Sequence, residues 1–104
     1  MLEKISKDQC LILFARILKC VRKSKVGFFK FKKMRGVYGI CFWEKGIVLD
    51  YRREIVNTLI HECLHFIEPN WCEAQILYTE KRIVNAVTKK QIITLLKAFV
   101  KKVK

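Results

Sequence analysis

Residues 58–73 read TLIHECLHFIEPNWCE, and this stretch decides how the rest of the chain is interpreted. It contains both histidines of the 104-residue chain, four positions apart, and Glu62 directly follows the first of them. Residues i and i+4 of a helix lie on one face, one turn apart, so the rings of His61 and His65 can approach the same point. Pro69 is expected to end this helix, because the residue before a proline avoids the helical region.

Apolar residues surround the two histidines almost completely, which predicts a deeply buried helix. They are Leu59, Ile60, Cys63, Leu64, Phe66 and Ile67. Imidazole and carboxylate groups in such a helix need polar partners. In the pattern HExxH, zinc binds both rings, and the glutamate takes the proton of a water that the metal has acidified. We therefore predict one zinc ion at His61 and His65, with Glu62 as the catalytic base.

The third ligand has to be another residue type, because the chain contains no third histidine. A second helix is predicted from about residue 72 to about residue 87, and it offers Glu73 and Glu80. Glu80 lies in the middle of an apolar stripe, where a lone carboxylate is costly unless a cation meets it. The stripe consists of Ile76, Leu77, Ile83, Val84 and Val87. Glu73 lies in the first turn, where favourable interaction with the helix dipole already accounts for a glutamate.

Helix geometry also favours Glu80. If the second helix runs antiparallel to the first, a rise of about 1.5 Å per residue returns the chain to the depth of the histidines near residues 78–80. We predict Glu80 as the third ligand and Glu73 as the alternative. The other candidates are Glu68, Cys72 and a water molecule. A buried Glu80 has a second interpretation, an ion pair with an arginine such as Arg52 or Arg53.

The segments before this stretch predict one helix and three strands. The helix begins after Ser6 and ends near residues 23–25, because its apolar residues recur at helical spacing. Strand-forming residues then occur in three runs, VGFFKFKKM (26–34), MRGVYGICFW (34–43) and IVLDY (47–51). A tight connection at residues 44–46 joins the last two runs, and Gly36 and Gly39 are predicted as weak points or bulges.

A fourth helix is predicted at the end of the chain, where Thr88 and Gln91 have the spacing of a capping box. The sequence thus predicts an α+β fold. Its N-terminal helix packs on a small, mainly antiparallel three-stranded sheet, followed by the histidine helix, the glutamate helix and an amphipathic C-terminal helix. Residues 88–104 are expected to cover the core. The alternative is a regulatory segment that covers the histidine site or mediates dimerisation, which would make the chain latent or dimeric.

Charge is distributed unevenly along the chain, whose formal net charge is +13. Residues 1–35 carry 11 Lys or Arg against 2 acidic residues, and residues 81–104 carry 8 against none. Residues 36–80, which include the histidines, carry 3 against 7. The basic ends are explained by a solvated surface, or by attraction to nucleic acid or another anionic partner. No RNA- or DNA-binding sequence signature accompanies them.

Length and cysteine content indicate one small domain, residues 1–104, in a reducing compartment. The five cysteines are an odd number without a CxxC pair, and no secretory signal is recognisable, so a cytoplasmic location is expected. The most apolar run near the N-terminus, CLILFARILKCV, is interrupted by Arg16 and Lys19 and is too short to span a bilayer. No membrane span is therefore predicted.

The order helix, three-stranded sheet, HECLH helix, short hinge and glutamate helix resembles the zincin metallopeptidases. It is similar, more narrowly, to the minimal gluzincins called minigluzincins, in which a downstream helix provides a glutamate as third ligand. The resemblance covers residues 6–87, and HECLH is its specific motif. It implies that His61 and His65 bind zinc and that Glu62 acts as general base and acid.

The resemblance also implies how a substrate would bind, by pairing an extended peptide with a sheet edge at Gly36–Trp43 or Ile47–Asp50. The chain departs from the thermolysin-type ExxxD pattern, because Val84 follows Glu80 at the position of the aspartate. It also lacks an obvious oxyanion-stabilising histidine, so the candidates for that role are Tyr51, Tyr78 and an arginine. We predict a zinc metalloendopeptidase that acts on peptides or unfolded proteins. The alternative is a non-catalytic zincin-like module attracted to nucleic acid or another anionic partner.

Overall fold

A computed structural model describes residues 2–42, 45–51 and 54–103 of the chain. Within them, four helices and three strands follow the predicted order, which confirms the α+β class. The elements are α1 (Lys7–Lys23), β1 (Phe29–Phe31), β2 (Gly39–Phe42), β3 (Gly46–Leu49), α2 (Ile55–Ile67), α3 (Glu73–Ala86) and α4 (Lys89–Val100).

Capping boxes open the first and last helices, and both follow from the local sequence. The Ser6 hydroxyl accepts a hydrogen bond from the Gln9 backbone, and the Gln9 side chain accepts one from the Ser6 backbone. Thr88 and Gln91 make the same reciprocal pair at α4, as predicted. These contacts satisfy backbone N–H groups that a helix start otherwise leaves without a partner.

The sheet has the strand order β1-β3-β2, with β3 in the centre. Strand β3 pairs antiparallel with β2 and parallel with β1. The sheet is therefore mixed, and the prediction of a mainly antiparallel sheet is wrong. Strand β1 joins the far side of β3 because Phe29 enters the core there, where its ring packs edge-to-face on Phe99 at 5.3 Å between ring centroids. Local periodicity carries no information about such a long-range contact.

The strand order decides which strand has a free edge beside the histidine helix. Strand β3 is paired on both sides, so Ile47–Asp50 cannot pair with a substrate strand. Strand β2 lies at the edge of the sheet and packs on α2. The predicted edge Gly36–Trp43 thus coincides with β2, although Trp43 lies outside the described residues. On the β1 side, Gly27 donates a backbone hydrogen bond to the Lys102 carbonyl at 2.8 Å, so the C-terminal segment occupies that edge.

Helix α2 packs on the sheet, whereas α1 packs mainly on α2, α3 and α4. This differs from the prediction that the N-terminal helix lies on the sheet, because α2 already covers the face of β2 and β3. Helix α4 covers the core on the α1 side, where Leu95 and Phe99 are buried. Within the described part of the chain, no helix has both the length and the apolar character needed to cross a membrane.

Candidate metal centre

Helix α2 places the two histidines side by side, as their spacing predicts. The rings of His61 and His65 meet edge-to-face, with centroids 5.0 Å apart. One side of the helix is buried in the core through Leu59, Ile60, Cys63 and Leu64. Both histidines are only partly buried, so they lie at the boundary between this core and a solvent-accessible cleft.

The end of α2 is tied to α1 by Arg16. Its guanidinium contacts the Glu68 carboxylate at 2.6 Å and donates to the Ile67 carbonyl at 3.2 Å. Glu68, one of the candidate ligands, therefore already has a partner away from the histidines. Another candidate, Cys72, is exposed and occupies the N-cap position of α3, where its side chain makes no capping hydrogen bond.

Glu73 is the acidic residue that meets both histidines. Its Oε1 lies 2.6 Å from Nε2 of His61, and its Oε2 lies 2.8 Å from Nε2 of His65. The ligand atoms of these three residues all lie within 4.8 Å of one another. The short hinge after α2 brings the first turn of α3 alongside the rings, so the alternative third ligand is the one that joins the group.

Glu80, the preferred ligand from the sequence, lies on the other side of the His61 ring. Its Oε1 accepts a hydrogen bond from His61 Nδ1 at 2.8 Å, and its Oε2 accepts one from the Asn57 amide at 3.1 Å. The buried carboxylate thus finds its partners in α2. The other suggested partners, Arg52 and Arg53, lie outside the described residues.

The difference between the two glutamates has a simple geometric cause. A helical wheel gives the direction of Glu80 correctly, towards α2, but it does not say which ring nitrogen the carboxylate meets. It also leaves out the hinge, which returns α3 early enough for Glu73 to reach both Nε2 atoms. The observed arrangement therefore places Glu73, and not Glu80, in the group of residues that could hold a metal ion. Asn57 was not predicted, although it lies one turn before His61 on the same face of α2.

The donor set suits zinc. Two imidazole nitrogens and one carboxylate form a three-ligand set typical of catalytic zinc sites, with further coordination left for water or substrate. Zinc–ligand distances near 2.0–2.1 Å keep tetrahedral donor atoms roughly 3.3 Å apart. Glu73, whose side chain is 67% exposed, would have to withdraw slightly from the rings. Glu80 behind His61 is the kind of carboxylate partner that orients a ligating histidine and fixes its tautomer.

Glu62 points from α2 towards β2 and is buried, with 7% of its surface exposed. Burial raises the pKa of this carboxyl, and the charges of His61 and His65 offset the rise only in part. The Cys41 backbone also makes a hydrogen bond to it. A carboxylate beside the two histidines with a raised pKa has the properties expected of a general base.

The pKa of His61 is raised as well. Burial lowers it, but the hydrogen bond to Glu80 and the charges of Glu73, Glu62 and Glu80 outweigh burial. In the metal-free protein, the protonated ring is thus stabilised by carboxylates on both of its nitrogens. Zinc would have to displace that proton in order to bind at Nε2.

Gly39 brings β2 into direct contact with α2. A Cβ atom at this position would lie 2.7 Å from Thr58 Cγ2 and 3.0 Å from Glu62 Cγ. The glycine predicted as a bulge or weak point is therefore a point where the sheet edge and the helix approach closely. An isolated glycine within a strand pattern can signal such an approach, but the sequence does not identify the partner.

Two hollows flank the histidines along the edge of β2. The larger is a cleft of about 410 Å³ between β2, α2 and α3. Its lining includes Tyr38, Asn57, His61, Glu62 and Leu77. The second, of about 320 Å³, is lined by Gly39, Ile40, Cys41, His61, Glu62, His65 and Glu73. Neither Tyr51 nor Tyr78 lines either hollow, whereas Tyr38, which was not predicted, lines the cleft.

Cys63 lies within the motif but outside the donor group. It is fully buried, and its thiol makes a hydrogen bond with the Cys20 thiol of α1. This contact, together with burial, raises the pKa of Cys63 well above its usual value. The residue thus packs towards α1 through its contact with Cys20.

No protein-family model, curated protein or solved structure gives a significant match to this chain. The interpretation of the site therefore depends on the residues and their geometry.

Proposed function

We propose that the chain is a zinc-dependent metallopeptidase whose metal ligands are His61, His65 and Glu73. The observation that carries this proposal is the convergence of their ligand atoms within 4.8 Å, with the buried Glu62 beside them. When bound, zinc would supply Lewis-acid chemistry that lowers the pKa of a water to about 7 and polarises a carbonyl.

Glu62 is the proton carrier of the proposed reaction. Its carboxylate accepts the proton of the water that attacks the peptide carbonyl carbon, and then delivers a proton to the leaving amide nitrogen as the carbon–nitrogen bond breaks. The raised pKa suits both steps, because a carboxylate that binds its proton more tightly is a stronger base closer to neutral pH.

Glu80 and Asn57 are positioning residues in this proposal. A neutral imidazole carries one N–H group, so donation from Nδ1 of His61 to Glu80 leaves the lone pair of Nε2 for the metal. Asn57 donates to the other oxygen of Glu80 and thereby fixes the carboxylate. The tautomer and the ring orientation of His61 would both follow from this short chain of hydrogen bonds.

An extended or unfolded polypeptide is the substrate that the surroundings favour. The two hollows follow one another along β2, and His61 and Glu62 line both of them. An extended peptide can add to a sheet edge through backbone hydrogen bonds, which requires a segment without stable structure of its own. Tyr38, which lines the cleft beside His61 and Glu62, takes the place of Tyr51 and Tyr78 as candidate for polarising the carbonyl oxygen.

Zinc content and peptidase activity together test the proposal. The purified chain should bind one zinc ion and cleave a denatured, fluorescently labelled protein. Glu62→Gln should retain the zinc and lose activity by about 10²–10⁴-fold, the usual contribution of a general base. His61→Ala should lose both. Asp8→Asn is the control, because this exposed carboxylate lies in the first turn of α1 and lines neither hollow at the histidines.

The non-catalytic module is distinguished by the same measurements. A chain that binds zinc with full occupancy, yet cleaves none of a panel of unfolded proteins, would support that alternative. A wild-type chain that gains no zinc from added metal would contradict the metal centre itself, and the peptidase proposal with it.

A further inference from the structure

A third hollow, which is rich in cationic residues, lies between the C-terminal halves of α1 and α4. It has a volume of about 420 Å³ and is lined by Arg22, Thr94, Lys97, Ala98, Lys101 and Lys102. Four of these six residues are cationic, and we call this surface the basic groove. It shares no lining residue with either hollow at the histidines.

The basic groove follows from residue spacing on α4 and the turn after it. Lys90, Thr94, Lys97 and Lys101 are separated by four, three and four positions, so they form one stripe along the helix. A neighbouring hollow of about 330 Å³ continues the seam towards the N-terminal ends of α1 and α4. Lys90 lines this neighbouring hollow, and Thr94 lines both the neighbouring hollow and the basic groove. The cationic stripe therefore follows the seam between the helices.

Carboxylates are missing from this surface. None lines the basic groove or the neighbouring hollow, and none occurs among described residues 81–103. In α1 the acidic residue is Asp8, in the first turn, at the opposite end of the helix from Arg22. The positive charges of the groove therefore lack nearby acidic side chains among the described residues, in contrast to the cleft.

Helix capping explains only part of this charge. Cations near a helix C-terminus are favourable because the carbonyl end carries partial negative charge. Lys102 has a structural purpose of this kind, since its ammonium donates to the Ser24 carbonyl at 2.7 Å and joins the ends of α1 and α4. Arg22, Lys97 and Lys101 have exposed side chains, and they provide more charge at this place than that contact requires.

We propose that the basic groove binds the phosphate backbone of double-stranded nucleic acid, without reading its sequence. Cationic side chains along a phosphate backbone release counterions, which supplies most of non-specific binding. The residues that line the groove include no aromatic side chain on which an unpaired base could stack, so single strands gain little there. The lining also lacks Asn and Gln, which read base edges in the major groove. The groove can therefore contact only the phosphate backbone, and the charge density of that backbone is higher in a duplex than in a single strand.

Salt-dependent binding to a labelled duplex tests this proposal. Anisotropy of a fluorescent 20-base-pair DNA would be measured with the wild-type chain between about 50 and 200 mM salt. The test variant is Arg22→Gln/Lys97→Gln/Lys101→Gln. The matched control is Lys30→Gln/Lys32→Gln/Lys33→Gln, which removes the same charge from exposed positions on and after β1.

The expected difference lies in the salt dependence. Each lost phosphate contact should reduce the slope of log K against log salt by about 0.9, or about 2.7 for the test variant. Over this salt range the wild type should lose about 40-fold more affinity than the test variant does. The control should retain most of the wild-type slope, and Lys101→Gln alone should reduce the slope by about 0.9.

Three outcomes would overturn the proposal. In the first, the control variant weakens binding as much as the test variant, so that net charge explains the attraction. In the second, the chain binds vesicles containing phosphatidylserine but not the duplex, and the partner is a lipid surface. In the third, no binding is detected even at low salt. Glu62→Gln should not change duplex binding, so failure here and failure of the peptidase proposal are distinguishable.

Discussion

The cleft and the basic groove are hollows of similar volume, about 410 and 420 Å³, but their charged side chains differ in sign, burial and hydrogen bonding. In the cleft, Glu62 and Glu80 are buried and have defined hydrogen-bond partners on neighbouring elements. In the basic groove, Arg22, Lys97 and Lys101 are exposed to solvent. Charge of one sign dominates the groove, whereas histidines and carboxylates meet in the cleft.

This contrast predicts two different responses to substitution. A buried, hydrogen-bonded carboxylate interacts through low-dielectric surroundings, so losing one partner changes pKa values, metal affinity and stability together. Exposed cations are screened by water and salt, so each contributes little to folding and acts on a partner through the sum of the charges. Single substitutions should therefore have large effects in the cleft and small, cumulative ones in the groove.

The largest expected effect separates the two glutamates of α3. Glu73→Gln should weaken zinc binding more strongly than Glu80→Gln, because Glu73 meets both Nε2 atoms and Glu80 meets Nδ1 of His61. For Glu80→Gln, loss of an outer partner of a ligating histidine should cost about 10–100-fold in affinity. Competition with a fluorescent zinc chelator would measure both values. The reverse order would show that the sequence-based choice of Glu80 as ligand was correct after all.

A smaller effect is expected where β2 contacts α2. Gly39→Ala places a Cβ atom 2.7 Å from Thr58 Cγ2, so the strand and helix must move apart. Overpacking of this kind typically costs about 1–3 kcal/mol of the free energy of unfolding. Urea denaturation would measure the cost. Gly36→Ala is a useful comparison, because its backbone φ of +82° is strained for alanine although nothing lies within 4 Å of the added atom. If Gly39→Ala had no effect on stability or activity, the close packing would be unimportant.

These features differ in how far the sequence predicts them. The start of α1 after Ser6, the capping box at Thr88 and the shared face of His61 and His65 depend on residues within one or two turns, and the sequence predicts all three. The partner of β1 depends on Phe29 meeting Phe99, seventy positions away, and the sequence does not reveal it. The same limit applies to Gly39, which the sequence marks only as a bulge or weak point, because its contacts with Thr58 and Glu62 come from another element.

The sequence predicts the third ligand only in part. The apolar stripe of α3 correctly predicts that Glu80 is buried and needs a polar partner, although Leu77, a member of the stripe, is 43% exposed. The choice between Glu73 and Glu80 depends on the path of the hinge and on the reach of two side chains around one ring. Periodicity specifies neither of them, because it describes directions around a helix axis and not distances between helices.

The raised pKa of His61 predicts how the stability of the metal-free protein depends on pH. A pKa above the unfolded value near 6.5 means that the folded protein binds the proton more tightly, so this contribution is complete below about pH 6.5. It is lost as pH rises through the folded pKa, and the melting temperature in EDTA should fall over this interval. Glu80→Gln should flatten the decline, because the Glu80 hydrogen bond is the largest of the contacts that raise the pKa. An unchanged profile in that variant would contradict the assignment.

The smallest expected effect concerns the stability contributed by the basic groove. Each of Arg22→Gln, Lys97→Gln and Lys101→Gln should change the free energy of unfolding by no more than about 0.5 kcal/mol, the usual range for exposed positions. Lys102→Gln should cost more, because its ammonium holds the Ser24 carbonyl at the junction of α1 and α4. Urea denaturation of the four variants would measure these differences. If the three exposed cations proved as costly as Lys102, the groove would be part of the folding core, and its charge would need no external partner.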